Sequence, residues 1–289
     1  MPSTQAVPAR HLPADSNRPS ESALVEHLKL ASRVAAQAVD ILGAERAKGR
    51  TVRATRGREV KVAADETINQ MICQELSRHS PFGILSEESG ISRGREPDSP
   101  YRWVVDPLDG SANFSRGIPL AVVSIALWRG MTPLLGVIHD IERAERFEGI
   151  AGQGARLNAV PIHVSEVRVP EEAVVCTGFP TRRAYDEPSL SRTVRQIQRY
   201  QKIRMLGSAA LSLAYVACGR ADVYEEERIA LWDIAAGAAI VQAAGGCVRM
   251  SEPDADQAVT LRAGNSWLVR DDASDGSRRV AAVRRAPRR

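Results

Sequence analysis

Apolar residues recur every three or four positions from Glu21 onward, at Leu24, Leu28, Ala31, Val34, Ala35, Ala38, Ile41 and Leu42. That period lines one face of a helix, which stops between Gly43 and Gly49. The basic stretch from Lys48 to Lys61 reads as loop and hairpin. A second helix spans about Asp65 to Arg78, with Ile68, Met71, Ile72 and Leu76 inward and Pro81 closing it. Short runs rich in Val, Ile and Leu predict strands at Gly83–Ser86, Tyr101–Val105, Ala121–Leu127, Leu134–Ile138 and Glu145–Ile150. Gly152-Gln153-Gly154 turns the chain after the last of these.

Past residue 160 the pattern changes. Ala173–Cys176 reads as a short strand and Asp186–Gln201 as a polar helix. Ser208–Cys218 is a helix with Ser208 as N-cap and Gly219 as its stop. Ala221–Tyr224 is a strand. Asp233–Ala244 is an almost wholly apolar helix ended by Gly245-Gly246, and its small residues suit a buried central element. Helices and strands mix without strict alternation, which argues for α+β layers rather than a doubly wound sheet. The organisation expected is a disordered leader (1–20), an N-terminal α+β metal-binding half (21–160), a C-terminal α/β half (161–275) and an Arg-rich tail (276–289).

Composition narrows the class. Of 289 residues, 44% are apolar and 26% charged, which excludes a disordered chain, a collagen and a disulfide miniprotein. The apolar runs Leu120–Leu127 and Ile234–Ala244 fall short of the roughly 20 residues a membrane span needs. The polar, Pro-rich first twenty residues lack the apolar core of a secretory signal. Cys73, Cys176, Cys218 and Cys247 are widely spaced with no zinc pattern, so reduced thiols in a cytoplasmic protein are expected. The net charge of +4 is outweighed by six arginines near the end, at 278, 279, 284, 285, 288 and 289. The body is therefore near neutral. The tail could touch nucleic acid, but no aromatic residues are interleaved to stack bases.

The chemistry gathers around acidic residues. In Trp103-Val-Val-Asp-Pro-Leu-Asp-Gly-Ser-Ala-Asn-Phe114 an apolar strand delivers Asp106, Pro107 turns the chain, and Asp109 follows before a helical turn opens at Gly110. Carboxylates suit a hard divalent cation, and N–H groups at a helix start suit an anion. Together they suit a phosphate ester held against Mg²⁺. A bare pair of aspartates at this spacing is also an ordinary polar turn. Asp65, Glu87-Glu88 and Asp233 sit at other element junctions, where each alone reads as a helix cap or a solvated loop charge.

Taken together, these segments resemble the inositol monophosphatase family of Mg²⁺-dependent, lithium-sensitive phosphatases. Residues 103–114 match its first signature. Trp232-Asp-Ile-Ala-Ala-Gly237, running on to Ala244-Gly-Gly246, matches its second. Leu85-Ser-Glu-Glu-Ser89, Gly152-Gln-Gly-Ala-Arg-Leu-Asn158, Gly207-Ser-Ala-Ala-Leu211 and Gly219-Arg-Ala-Asp222 match stretches of the family in the same order. The resemblance runs from about residue 22 to 268.

It implies a layered αβαβα sandwich of the inositol monophosphatase/fructose bisphosphatase type, and two or three Mg²⁺ ions. One ion would be held by Glu87, Asp106 and the Leu108 carbonyl, and another by Asp106, Asp109 and Asp233. The phosphate would lie on the N–H groups of Gly110 and Ser111. Water oriented by Ser111 and Asp65 would attack phosphorus. Gly207, Ala209 and Glu226 would meet the alcohol, the last assigned by counting back from Asp233 within Glu225-Glu226-Glu227. Two departures stand out: Ala64 lacks the hydroxyl usual before the helix aspartate, and Ser111 replaces threonine.

The activity implied is hydrolysis of inositol monophosphate or a related sugar or cyclitol phosphate, by a cytoplasmic homodimer with no membrane partner. Fructose-1,6-bisphosphatase, another small phosphate esterase of the family, and a regulatory RNA or ribonucleoprotein binder are the alternatives.

Overall fold

The computed structural model describes residues 6–7, 19–47, 52–56, 59–62, 64–179 and 185–269. The chain begins β1 (Ala6–Val7), α1 (Glu21–Ala47), β2 (Val52–Arg56), β3 (Glu59–Val62), α2 (Ala64–His79), β4 (Gly83–Ser86), β5 (Gly90–Ser92) and β6 (Tyr101–Asp109). It continues through α3 (Ser111–Arg116), β7 (Val122–Arg129), β8 (Thr132–Asp140), β9 (Arg146–Ile150), β10 (Gly154–Leu157) and β11 (Val160–Ile162). Last come β12 (Val174–Cys176), α4 (Glu187–Arg199), β13 (Lys202–Arg204), α5 (Ala209–Ala217), β14 (Val223–Ala230), α6 (Leu231–Ala243), β15 (Cys247–Met250) and β16 (Ala258–Gly264).

An eight-stranded sheet runs β11-β10-β9-β8-β7-β6-β4-β5 and a six-stranded one β1-β15-β16-β14-β12-β13. The expected hairpin in the basic segment is β2 with β3. Of the expected leader, Ala6–Val7 pairs with β15. The rest of residues 1–18 and the Arg-rich 276–289 lie outside the described residues. Strand β11 straddles the division expected near residue 160, as the edge of the larger sheet.

Alternation along the strands sets the layers. Trp103, Val105, Val123, Ile125 and Val137 of the larger sheet pack with Leu24, Val34, Leu42, Ile68 and Ile72 of α1 and α2. Their neighbours Val104, Val122, Ala126 and Ile138 pack instead with α5 and α6. Both faces are covered, so these strands read as unbroken apolar runs rather than alternating ones. The smaller sheet turns Cys176, Tyr224 and Leu261 to α5 and α6, and Val175 and Val223 to an outer cluster with Tyr200 and Leu268. Helix α4 flanks that outer side, where Gln196 Nε2 donates to the Glu225 carbonyl at 3.3 Å. The order α-β-α-β-α is the layering expected. Among the described residues no helix is long and apolar enough to cross a membrane.

The polar helix expected at Asp186–Gln201 is α4, with Asp186 capping it through Ser189 N–H at 3.0 Å. Its apolar residues face outward: Leu190, Val194 and Ile197 are exposed while Ser189 and Thr193 are buried.

Close packing of α6 depends on glycines, Gly136 and Gly237 among them. A Cβ on Gly136 of β8 would stand 2.3 Å from the Ala236 carbonyl oxygen, and one on Gly237 would stand 2.4 Å from Leu213 Cβ. Backbone cannot yield as a side-chain tip can, so Gly136→Ala is expected to cost about 2 kcal/mol through overpacking. Urea unfolding checks this; wild-type stability would mean that α6 can shift freely.

Candidate metal centre

Strands β4 and β6 run parallel with Ser86 beside Val105. Their next residues, Glu87 and Asp106, therefore emerge side by side at the same sheet end. Glu87 N–H still donates to the Val105 carbonyl at 3.2 Å, which keeps it in line. Asp233 comes from the opposite layer, in the first turn of α6. It is not the cap of that helix; the N-cap is Ala230, with no side-chain cap bond. Carboxylate oxygens of Glu87, Asp106 and Asp233 lie within 4.8 Å of one another.

Asp106 is buried and accepts the Leu108 N–H on Oδ1 at 3.0 Å. Burial, then the charges of Glu87, Asp109 and Asp233, hold its carboxyl well above the ordinary carboxylate range. Such a trio stays ionised only if a cation compensates it. The donor set is all oxygen, which suits a hard divalent ion. Ser124 pairs across the sheet with Asp106, on the same face, and its buried hydroxyl has no hydrogen-bond partner. A guest in the site could complete that bonding.

Asp109 stands beside this trio rather than in it. After Pro107 the register of β6 on β7 shifts between Asp106 and Asp109. The shift turns Asp109 toward α5, where its Oδ2 accepts from Ser208 Oγ at 2.6 Å and Ala210 N–H at 2.7 Å. Burial pushes Asp109 up to about 6 against these bonds. The sequence assigned Ser208 no role beyond that of an N-cap, and it fills that role too, accepting the Leu211 N–H at 3.2 Å.

The remaining expected residues fall on the surrounding element ends. Asp65 is buried in the first turn of α2, outside the converging trio. Ser111 opens α3 and donates its hydroxyl to the Leu108 carbonyl at 2.9 Å. Gly110, at φ 92°, allows the turn; a Cβ there would stand 2.6 Å from the Leu120 carbonyl oxygen. Gly207 precedes α5 and lies against the Asn113 amide, and Ala209 is the first residue of α5. Asn113, which the sequence marked only as a position of the first signature with no role attached, donates to the Leu120 and Leu206 carbonyls at 2.8 and 2.7 Å, tying α3 to the α5 entry.

The three consecutive glutamates point apart. Glu225 accepts from Tyr200 Oη at 2.8 Å, and Glu227 pairs with Arg192 at 2.9 Å on the surface. Only Glu226 is buried, accepting from Tyr224 Oη at 2.7 Å.

Residues 23–276 match the model of the inositol monophosphatase family. A protein named Nus factor SuhB from Xylella fastidiosa is 42% identical over 186 residues, 64% of this chain and 66% of that protein. The inositol monophosphatase of Mesembryanthemum crystallinum is 37% identical over 221 residues, covering 74% and 80%. Among solved structures, extragenic suppressor protein suhB from Bartonella henselae superposes with a TM-score of 0.74 at 32% identity, covering 84% of this chain and 95% of that one. Inositol monophosphatase from Anabaena gives 0.73 at 33%, covering 85% and 92%. With its layers, its converging carboxylates and these likenesses in accord, the chain belongs to the inositol monophosphatase family.

Proposed function

We propose that the protein is a Mg²⁺-dependent phosphomonoesterase that hydrolyses inositol monophosphate or a related sugar or cyclitol phosphate. The convergence of Glu87, Asp106 and Asp233 within 4.8 Å carries this reading. The Leu108 carbonyl and Asp109 extend the ligand set, for two or three ions. When bound, the cation neutralises phosphate oxygens and lowers the pKa of water. Gly110 and Ser111 offer their N–H groups to the phosphate at the start of α3. Ser111, its own proton donated to the Leu108 carbonyl, accepts a hydrogen bond from the attacking water. The Asp65 carboxylate orients that water and takes up its proton, an equivalent proton passing to the leaving alkoxide from solvent. Gly207, Ala209 and Glu226 bind the alcohol. The working form in this reading is a cytoplasmic homodimer.

Phosphate release from inositol-1-phosphate, fructose-1,6-bisphosphate, histidinol phosphate and 3′,5′-bisphosphoadenosine, with Mg²⁺ or with excess chelator, tests it. Full turnover in chelator would overturn the metal requirement, and release from fructose-1,6-bisphosphate alone would move the substrate to the alternative. Relatives named Nus factor SuhB and the arginines at 278–289 favour a second reading, regulatory RNA binding. RNA retention lost on deleting 276–289, in a protein without turnover, would select it.

Stability should report the cation as well. The folded carboxyls of Asp106 and Asp109 titrate above their ordinary value of 3.8. Their contribution is therefore full below that value and is lost as pH rises, for Asp109 through about 6. Without metal, the melting temperature should rise on acidification from about pH 7.5 to about pH 5, and the shift given by Mg²⁺ should be larger at the higher pH. Equal Mg²⁺ shifts at both would dissociate the cation from these carboxyls.

A further inference from the structure

Glu226 is held from two sides. Tyr224 and Glu226 stand two residues apart on β14, so their side chains share one face. The face is the one turned to α5 and α6, and Tyr224 is wholly buried there. Its hydroxyl donates to Glu226 Oε2 at 2.7 Å. From the other side the backbone after β12 presses in. A Cβ on Gly178 would stand 2.7 Å from Oε2 and 2.9 Å from Oε1. Burial and the charges of Glu226, Asp233 and Asp109 keep the phenol protonated, so it remains a donor throughout the working pH range.

We propose that Tyr224 is a positioning residue that fixes the Glu226 carboxylate for the alcohol hydroxyls of the substrate, with Gly178 leaving the space that posture needs. Selectivity for a polyhydroxy ester is then set from the core beneath the site. Glu225 and Glu227 cannot substitute, because Tyr200 and Arg192 engage them elsewhere. The proposal rests on the phosphomonoesterase reading above.

Tyr224→Phe keeps the ring and its packing while deleting the donor. For inositol-1-phosphate KM should rise about tenfold, the loss of one hydrogen bond to a charged group, with kcat within about twofold. For p-nitrophenyl phosphate, which offers no hydroxyls, KM should stay as in wild type. Gly178→Ala should shift KM in the same substrate-selective way, since its Cβ must displace the carboxylate. In a Glu226→Ala background Tyr224→Phe should add nothing, because the two act as one unit. A clear Glu226→Ala effect alongside an unchanged KM in Tyr224→Phe overturns the proposal, as does an equal loss on both substrates. If Glu226→Ala itself leaves KM unchanged, the role of Glu226 fails and the proposal with it. Absence of phosphate release from the wild type would instead defeat the phosphomonoesterase reading.

Discussion

Asp106→Asn is expected to lower kcat for inositol-1-phosphate by about a hundredfold or more, while the metal-free protein melts higher than wild type. The side chain is buried among the charges of Glu87, Asp109 and Asp233. Asparagine retains an acceptor for the Leu108 N–H and removes a charge that burial and its neighbours oppose. A cation held as proposed would lose its most enclosed ligand, and the fold loses a repulsion. Asp233→Asn should behave alike, and the double variant should be little worse than either, since groups that hold one ion are non-additive. Steady-state kinetics and melting curves decide the matter. Wild-type turnover in either single variant would remove that residue from the metal site.

Asp109 should separate activity from stability. If it joins Asp233 on a second ion, Asp109→Asn and Asp109→Ala should both lower kcat by about a hundredfold. Stability should divide them. Alanine leaves the buried Ser208 hydroxyl and Ala210 N–H without their acceptor, which costs about 1–3 kcal/mol. Asparagine can still accept both bonds and carries no buried charge, so its stability should stay within about 1 kcal/mol of wild type. Equal denaturation midpoints for the two variants would mean that Asp109 does not tie β6 to α5.

Each residue of this centre was visible as a type before its partners were. Asp106 at the end of an apolar run, Asp233 before a small-residue helix and Glu87 after a short strand are local features. Their meeting depends on the parallel register of β4 on β6 and on α6 lying between the sheets. The motif resemblance supplied that grouping in advance. It could not supply the bond from Ser208 to Asp109, which joins residues 99 positions apart, or the Tyr224 grip on Glu226.

Local chemistry determined α1, α2, α5, α6 and the apolar strands, because a helix face or a covered strand needs a run of apolar residues wherever it packs. The caps were equally local: Asp186 and Ser208 bond to N–H groups three residues on. Tertiary structure alone decided the short strands β5, β10, β11, β13 and β15, whose few residues carry too little pattern to stand apart from loop. It also extended β14 from Tyr224 to Ala230, where antiparallel pairing with β16 takes in the charged Glu225 and Glu226 and resumes at Ile229 after an irregularity at Glu227 and Arg228. The outward turn of Leu190, Val194 and Ile197 belongs here too. Periodicity shows that a helix has an apolar face; which way that face points depends on what the rest of the chain sets against it.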